Sequence, residues 1–432
     1  MTYTNTSQAG SALATPKARP IGPILVAAKG ERDEAAFRAA RTMAERTGAP
    51  VRVISILEPE INFRLPLGFS LPLEYERDRS AMRLHALESE MMGVLGEGET
   101  LWPTDVRVGH PAAVLADAAR REGASLVVMG IGRREGLQRL FGAETTLATI
   151  RRIHVPVLVV ARDYHGAPRT VVAGVDFGAA SIHALEVALG LLAPPATLHL
   201  VHSWPPIESV HPLLRAGMAD YERSLPERFE RLRETLHVPD GMTLHIEWMP
   251  GKAAEVLAAV AMARHADLVV LGRDNRRGLD RMVAGSTSTA VLRGATCSLL
   301  VAPEPPARDM ERIEREVWGS SEAQTPDRWT AQLDAFTERN AGRRTALEVD
   351  DVAIGAQAQE TGYVLRGASW DRRDRRIQLM FGEPGATTHL TRSIANVLSV
   401  TVLADDRTEG ETLGIMYDGG QVVLRIVGSA QG

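Results

Sequence analysis

Short apolar runs rich in Val, Ile and Leu alternate with longer amphipathic stretches through the first 303 residues. In residues 168–303 the pattern predicts strands near 170–176, 197–203, 243–248, 267–272 and 297–302. It predicts helices near 179–193, 216–237, 252–265 and 286–294. The same pattern occurs once before. Leu126-Val-Val-Met-Gly130 recurs as Leu268-Val-Val-Leu-Gly272, and Gly109-x4-Val114-Leu115 as Gly251-x4-Val256-Leu257. Val155–Ala161 answers to Cys297–Pro303, and Ile24–Ala28 to Val171–Val175, at offsets of 142 to 147. A repeat of that length is a whole domain rather than a solenoid unit. Strands alternating with helices imply βαβ units and a parallel sheet covered on both faces.

The first copy carries an extra segment after its second strand. Residues 58–80, with Pro59, Pro66, Gly68 and Pro72, read as a packed loop over the sheet edge, and less readily as a ligand lid. Beyond Pro303 the character changes. Residues 304–324 are charged and Pro-containing, as in a linker with a helical middle. Thr325-Pro326 then opens a helix through about Asn340, with Thr as N-cap and Pro as first helical residue. β-like stretches follow at 345–354, 362–370, 376–381, 399–403 and 422–427, with Asp418-Gly-Gly420 as a hairpin turn between the last two. The expected organisation is a leader over 1–19, domains over 20–163 and 168–303, a linker over 304–324, and an accessory α+β domain over 325–432.

Composition narrows the classes. The 432-residue chain is 44% hydrophobic and 24% charged, with a net charge of −5. It offers no global positive field for nucleic acid or an anionic membrane. Its single cysteine, Cys297, excludes an intrachain disulfide and fits a reducing compartment. It reads as a small buried hydrophobe. Met1–Arg19 lacks the apolar centre of a secretory signal, and no run reaches the roughly 18 apolar residues of a membrane span. The expectation is a cytoplasmic protein without a nucleic-acid or membrane partner.

The feature richest in chemistry is residues 268–288. An apolar strand ends at Gly272, a polar loop with Arg273 and Asn275 follows, and Gly285-Ser286-Thr287-Ser288 opens a helix. A buried strand delivered to a helix N-terminus is a place for phosphate, because free N–H groups and the helix dipole face the ligand. The spacing of Gly272, Asn275, Gly285 and Ser286 resembles the Gly-x2-Gly-x9-Gly-Ser/Thr nucleotide signature of the universal stress protein family. Asn275 stands in place of the second glycine, a residue type that tolerates left-handed backbone. The resemblance covers about residues 20–303 as two tandem copies.

It implies two five-stranded parallel α/β domains of the adenine nucleotide alpha hydrolase-like type, joined as a pseudo-dimer through their last strands, with Val155–Val160 facing Cys297–Val301. It further implies that Asp176 accepts hydrogen bonds from ribose hydroxyls or the adenine amino group. Gly272 lets the main chain approach the phosphates. Gly285, Ser286, Thr287 and Ser288 supply space and donors, and Arg273 with Arg276 or Arg277 adds charge. The ligand is ATP, with or without Mg2+, or a related adenine nucleotide. The rival reading is a degenerate loop kept for its strand-to-helix geometry.

The first copy departs from the signature. Lys29 occupies the aspartate position, Arg133 the second glycine, the segment to Gly142 is one residue short, and Ala143-Glu144 replaces the Gly-Ser corner. A carboxylate there repels phosphate, so this copy reads as structural and free of cofactor. An anion site built from Lys29, Arg133 and Arg134 is the rival. The histidines at 110, 154, 183, 199, 202 and 245 show no metal-ligand spacing, and His199 and His202 read as pocket-edge or core residues. No P-loop or nucleophile elbow is present. Asp371–Arg376 reads as an exposed turn, with a phosphate- or RNA-binding loop as the sharper alternative. Trp329, Phe336 and the His389-Leu390 step resemble a small bacterial domain family of unknown function.

The expected function is a stress-response regulator that binds adenine nucleotide in the second copy and presents a nucleotide-dependent surface to a protein partner. The alternative is a nucleotide-free scaffold. Enzymatic activity is at most slow ATP hydrolysis, since no general base stands beside the loop. Pairing of whole chains is compatible with this reading.

Overall fold

The structure, a computed structural model, describes residues 22–58, 73–130, 139–206, 208, 210–273, 291, 297–306, 308–310, 312–313, 324–351, 355–371, 376–383, 390–395, 397–405, 410–417 and 420–428. The chain separates into two compact units. One takes residues 1–201, 237–247 and 254–305; the other takes 202–236, 248–253 and 306–432.

The first unit is built on a ten-stranded sheet. Its first copy contributes β1 (Ile24–Ala28), β2 (Val51–Leu57), β3 (Thr104–Val108), β4 (Leu126–Gly130) and β5 (Val157–Val160). The second contributes β6 (Thr170–Gly174), β7 (Ala196–Trp204), β8 (Met242–Pro250), β9 (Leu268–Arg273) and β10 (Ser298–Pro303). The order is β3-β2-β1-β4-β5-β10-β9-β6-β7-β8, so each copy repeats the other's order in mirror sense about the centre. Strands β1–β2, β2–β3, β1–β4 and β4–β5 of the first copy and β6–β7, β6–β9 and β9–β10 of the second pair in parallel, as the runs of Val and Leu require of strands buried on both faces. At the centre β10 meets β5 antiparallel, with Leu299 opposite Val159, Leu300 opposite Leu158 and Val301 opposite Val157. The last-strand junction expected from the family resemblance is therefore present.

Helices α1 (Glu34–Thr47), α2 (Leu73–Leu95), α3 (Pro111–Arg121) and α4 (Arg139–Arg152) belong to the first copy; α5 (Ala179–Leu191), α6 (Arg215–Thr235) and α7 (Ala253–Ala263) belong to the second. Helix α1 shows how pattern becomes packing. Ala36, Phe37, Ala39, Ala40 and Met43 are fully buried on one face, and Gly48 ends the helix in left-handed backbone at φ 69°. The Arg46 guanidinium donates to the Leu192 carbonyl just beyond α5, joining a helix of one copy to a helix of the other. The expected loop over 58–80 is corrected in its second half. Helix α2 begins at Leu73, because Glu, Arg and Leu dominate from there and favour helix; residues 59–72 lie outside the described set.

The second unit carries the accessory domain. Helix α8 (Gln324–Asn340) precedes β11 (Arg344–Asp351), β12 (Gly355–Asp371), β13 (Arg376–Phe381), β14 (Leu390–Ala395), β15 (Val397–Asp405), β16 (Gly410–Tyr417) and β17 (Gly420–Gly428). These form one antiparallel sheet in the order β14-β13-β12-β11-β17-β16-β15. Leu333 and Phe336 of α8 are fully buried against Leu347, Leu365, Leu379, Leu413 and Leu424. Alternation in β13 buries Ile377, Leu379 and Phe381 and leaves Arg376, Gln378 and Met380 partly open. Strands β14 and β16 are additions to the expected set, and β16 replaces 399–403 as the hairpin partner of β17, with Tyr417 opposite Gly420.

In the same unit a short 3-10 turn, Pro212–Leu214, leads into α6 and packs against this sheet. Leu214 is fully buried, and a Cβ on Gly414 would stand 2.0 Å from its Cδ2. A Cβ on Gly217 would meet Ser399 Oγ at 3.0 Å and Thr401 Oγ1 at 3.1 Å. The His211 amide donates to Gln421 Oε1 at 2.7 Å, and Arg425 reaches both His211 Nε2 and Glu348. Residues the repeat gives to the second copy thus pack as part of the accessory unit.

Candidate functional site

Strands β6 and β9 are neighbours from which the second copy runs in opposite directions, β7-β8 on one side and β10 on the other. In parallel α/β sheets ligands bind beyond the strand ends at such a switch point. Strand β6 ends at Gly174 and is followed by Asp176, Phe177 and Gly178, which lead into α5. Asp176 is exposed. Its Oδ1 accepts the Gly178 amide at 2.8 Å and the Ser181 hydroxyl at 2.5 Å. The residue between Asp176 and Gly178, Phe177, has φ +59° and a fully buried ring. Left-handed backbone is uncommon for a bulky residue and persists where its surroundings dictate it. Here the buried ring and the two bonds to Oδ1 fix the turn on either side of it.

Gly272 meets this turn from the neighbouring strand. A Cβ on it would lie 2.3 Å from the Ser181 nitrogen and 2.4 Å from the Ala180 carbonyl carbon. The glycine is therefore demanded by the first turn of α5, which packs main chain against main chain. That differs from the sequence-based reason, in which a phosphate fills the space. The equivalent Gly130 of the first copy has nothing within 4 Å of its Cβ position among the described residues.

Arg273 is held elsewhere. Its guanidinium donates to the carbonyls of Arg151 at 3.2 Å and Ile153 at 2.6 Å, at the C-terminal end of α4. A cation there complements the helix dipole and satisfies carbonyls left over by the last turn. Asp176 and Gly272 are thus brought together, while Arg273 binds the first copy. Asn275, Gly285, Ser286, Thr287 and Ser288, with Arg276 and Arg277, lie outside the described residues. Ser181 and Gly178 were missed by the motif reading. The signal available was a serine five residues after the aspartate, in the opening turn of a helix.

The corresponding turn of the first copy is organised differently. The amides of Lys29, Gly30 and Glu31 donate to Asp33 Oδ2 at 2.6, 2.6 and 3.3 Å. Those of Arg32 and Asp33 donate to Glu90 of α2 at 2.9 and 2.8 Å. Five successive amides are thereby committed to two internal carboxylates. Burial, with Glu90 nearby, pushes the Asp33 carboxyl up to about 6 even though three amides favour its charged form. Arg133 and Arg134 of the rival anion site lie outside the described residues.

Three titratable groups of the second copy, His199, His202 and Glu247, are buried. His199 and His202, three apart on β7, face opposite sides of the strand and are both buried. His199 Nδ1 bonds Glu247 Oε1 at 2.8 Å, Arg264 reaches the same oxygen at 3.2 Å, and His245 stacks on His199 at 4.9 Å. Burial lowers the His199 imidazole below its ordinary range. Burial would raise Glu247, but its bonds from His199 and Arg264 outweigh that and hold it low. His202 Nε2 bonds the Tyr221 hydroxyl at 2.9 Å. These are satisfied core histidines. Cys297 is half-buried, and burial pushes its thiol up, away from a nucleophile's range. Among the described residues no group of three His, Cys, Asp or Glu is placed for a metal ion, and no helix is long and apolar enough to cross a membrane.

Comparison with known proteins agrees with this architecture. The model of the Universal stress protein family matches residues 20–161 and again 168–303. A universal stress protein of Mycolicibacterium smegmatis is 26% identical over 285 residues, covering 62% of this chain and 92% of its own. One from Mycobacterium tuberculosis is 31% identical over 187 residues, covering 41% and 62%. The structure of the universal stress protein from Archaeoglobus fulgidus in complex with dAMP is 25% identical at a TM-score of 0.23, covering 33% of this chain and 98% of that one. With both copies matched by the family model, the chain belongs to the Universal stress protein family, which it carries in tandem.

Proposed function

We propose that the protein is a stress-response regulator that binds ATP or a related adenine nucleotide in its second copy and presents a surface that changes with occupancy. The observation that carries this reading is the exposed Asp176 carboxylate beside the end of β9, at the switch point of the sheet. One of its oxygens is taken by Gly178 and Ser181; among the described residues the other has no bond, which leaves an acceptor for a ribose hydroxyl or the adenine amino group. Gly285, Ser286, Thr287 and Ser288 would supply main-chain and hydroxyl donors to the phosphates. Bound nucleotide contributes negative charge and ordering of the 273–286 loop, and a partner reads the ordered surface. The first copy is left out of this role because its own carboxylates already take the turn's amides.

Calorimetry on the purified chain is expected to find one adenine nucleotide site, and Gly285→Val to abolish binding with the fold intact. Zero sites would leave the scaffold reading; two would contradict the exclusion of the first copy. The scaffold reading draws on Arg273, whose guanidinium is engaged by α4 rather than held for phosphate. Absorbance near 260 nm of freshly purified protein separates the two readings by exposing nucleotide carried through purification.

A further inference from the structure

We infer that Ser181 is the positioning residue of the second copy's site: it fixes Asp176 as a one-oxygen acceptor and ties that acceptor to the end of β9. The inference rests on the nucleotide-binding reading and names the residue on which its selectivity turns.

A hydroxyl has one proton to give. Ser181 Oγ lies 2.5 Å from Asp176 Oδ1 and 3.0 Å from the Gly178 carbonyl. The shorter contact, to a charged acceptor, takes the proton, since bonds to carboxylates are shorter and stronger. Ser181 is buried whereas Asp176 is exposed, so a fixed interior donor holds a carboxylate that would otherwise sample several rotamers. The Gly178 amide holds the same oxygen from the turn. Both protein donors converge on Oδ1, and the carboxylate is presented to solvent with one oxygen committed. Fixing it before a ligand arrives removes an ordering cost from binding.

The same residue meets β9. The Ser181 nitrogen stands where a Cβ on Gly272 would fall, so its main chain sets how closely α5 approaches that strand end. One residue therefore fixes the acceptor and also its separation from the end of β9. The first copy provides an internal comparison. At the repeat offset of 147, Lys29 stands for Asp176 and Glu34 for Ser181, and among the described residues nothing stands within 4 Å of a Cβ on Gly130. Carboxylate, hydroxyl and close approach are all missing together from the copy whose turn is filled by internal carboxylates.

The test is a double-mutant cycle on the full chain, titrating ATP, 2′-deoxy-ATP and inosine triphosphate into wild type, Ser181→Ala, Ser181→Thr, Asp176→Asn and the Ser181→Ala/Asp176→Asn pair. Ser181→Ala is expected to weaken ATP binding about 10-fold, the scale of a hydrogen bond to a charged group, and Ser181→Thr to restore it. Discrimination between ATP and the analogue lacking the accepted donor should narrow in Ser181→Ala as it does in Asp176→Asn. On the Asp176→Asn background, Ser181→Ala should change nothing further. Wild-type affinity in Ser181→Ala, or effects that simply add, would overturn the inference. The positioning is read separately in the ligand-free chain, where non-additive shifts in the denaturation midpoint support it and additive shifts overturn it. A wild-type chain that binds no nucleotide while keeping that coupling would sink the function, and with it the acceptor role, but not the Asp176–Ser181 link.

Discussion

At the scale of single residues, two prolyl-free turns one repeat apart meet the same demand with opposite chemistry. In the first, the near-complete burial of Asp33 sets a pH dependence. Burial holds its carboxyl at about 6 in the folded chain, above the ordinary aspartate value, so the folded chain holds the proton more tightly than the unfolded one. Its contribution to stability is therefore greatest below pH 4 and is lost as pH rises toward 6, by about 3 kcal/mol for a shift of roughly two units. Asp33→Asn should remove that slope, because an amide oxygen still accepts from Lys29 and Gly30 without titrating. The check is the difference in unfolding free energy between variant and wild type at pH 4.5 and 7; an unchanged difference would place the slope on other groups. In the second turn the sensitive residue is Gly272. Gly272→Ala forces a Cβ onto main-chain atoms of Ala180 and Ser181, which cannot move as a side chain can. An overpacking cost of about 1–3 kcal/mol is expected, read as a lower denaturant midpoint. Gly130→Ala, with nothing within 4 Å among the described residues, should cost far less. Neither turn's bonding was legible in the sequence. The motif pointed to Asp176 and Gly272 as residue types, but which atoms fill the space beside Gly272 depends on the approach of α5, and the Glu90 carboxylate reaches Asp33 from 57 residues away.

At the scale of elements, strands buried on both faces were easy to read. Runs such as Leu268–Leu271 and Val157–Val160 have no rival pattern at that length, and their order follows from the repeat. The antiparallel sheet was harder. Strand β16 carries Gly410 and Gly414, which lower strand propensity, yet Gly414 is kept because Leu214 packs where its Cβ would stand. Strand β14 is half exposed and shows little alternation. The turn before α6 is therefore a packing element of the antiparallel sheet, a role no local pattern announces. Leu214→Ala should cost about 2–5 kcal/mol, since a fully buried leucine leaves a cavity. Gly414→Ala alone should also destabilise by crowding that leucine, and the double variant should lose less than the sum of the two. Chemical denaturation of the four proteins measures the coupling. Strict additivity would mean that Leu214 and Gly414 do not share the space assigned to them.

At the scale of the whole molecule, the proposed function gives two copies of one fold a single ligand, and its reason lies deeper than the single substitution at Lys29. Restoring the missing acceptor by Lys29→Asp would add a carboxylate, but the amides of residues 29–33 would remain bonded to Asp33 and Glu90. The added charge would also stand beside two existing ones, which opposes an anionic ligand. Lys29→Asp is therefore expected to leave calorimetric stoichiometry at one nucleotide per chain, whereas Asp176→Asn should weaken that one site. Binding to the folded state alone stabilises it by mass action, about 2.7 kcal/mol at a ligand concentration one hundred times the dissociation constant. The wild-type and Lys29→Asp chains should thus show equal increments in melting temperature with saturating ATP, and Asp176→Asn a smaller one at the same concentration. A second site appearing in Lys29→Asp would mean that the internal carboxylates yield to phosphate, and that the asymmetry between the copies rests on one residue after all.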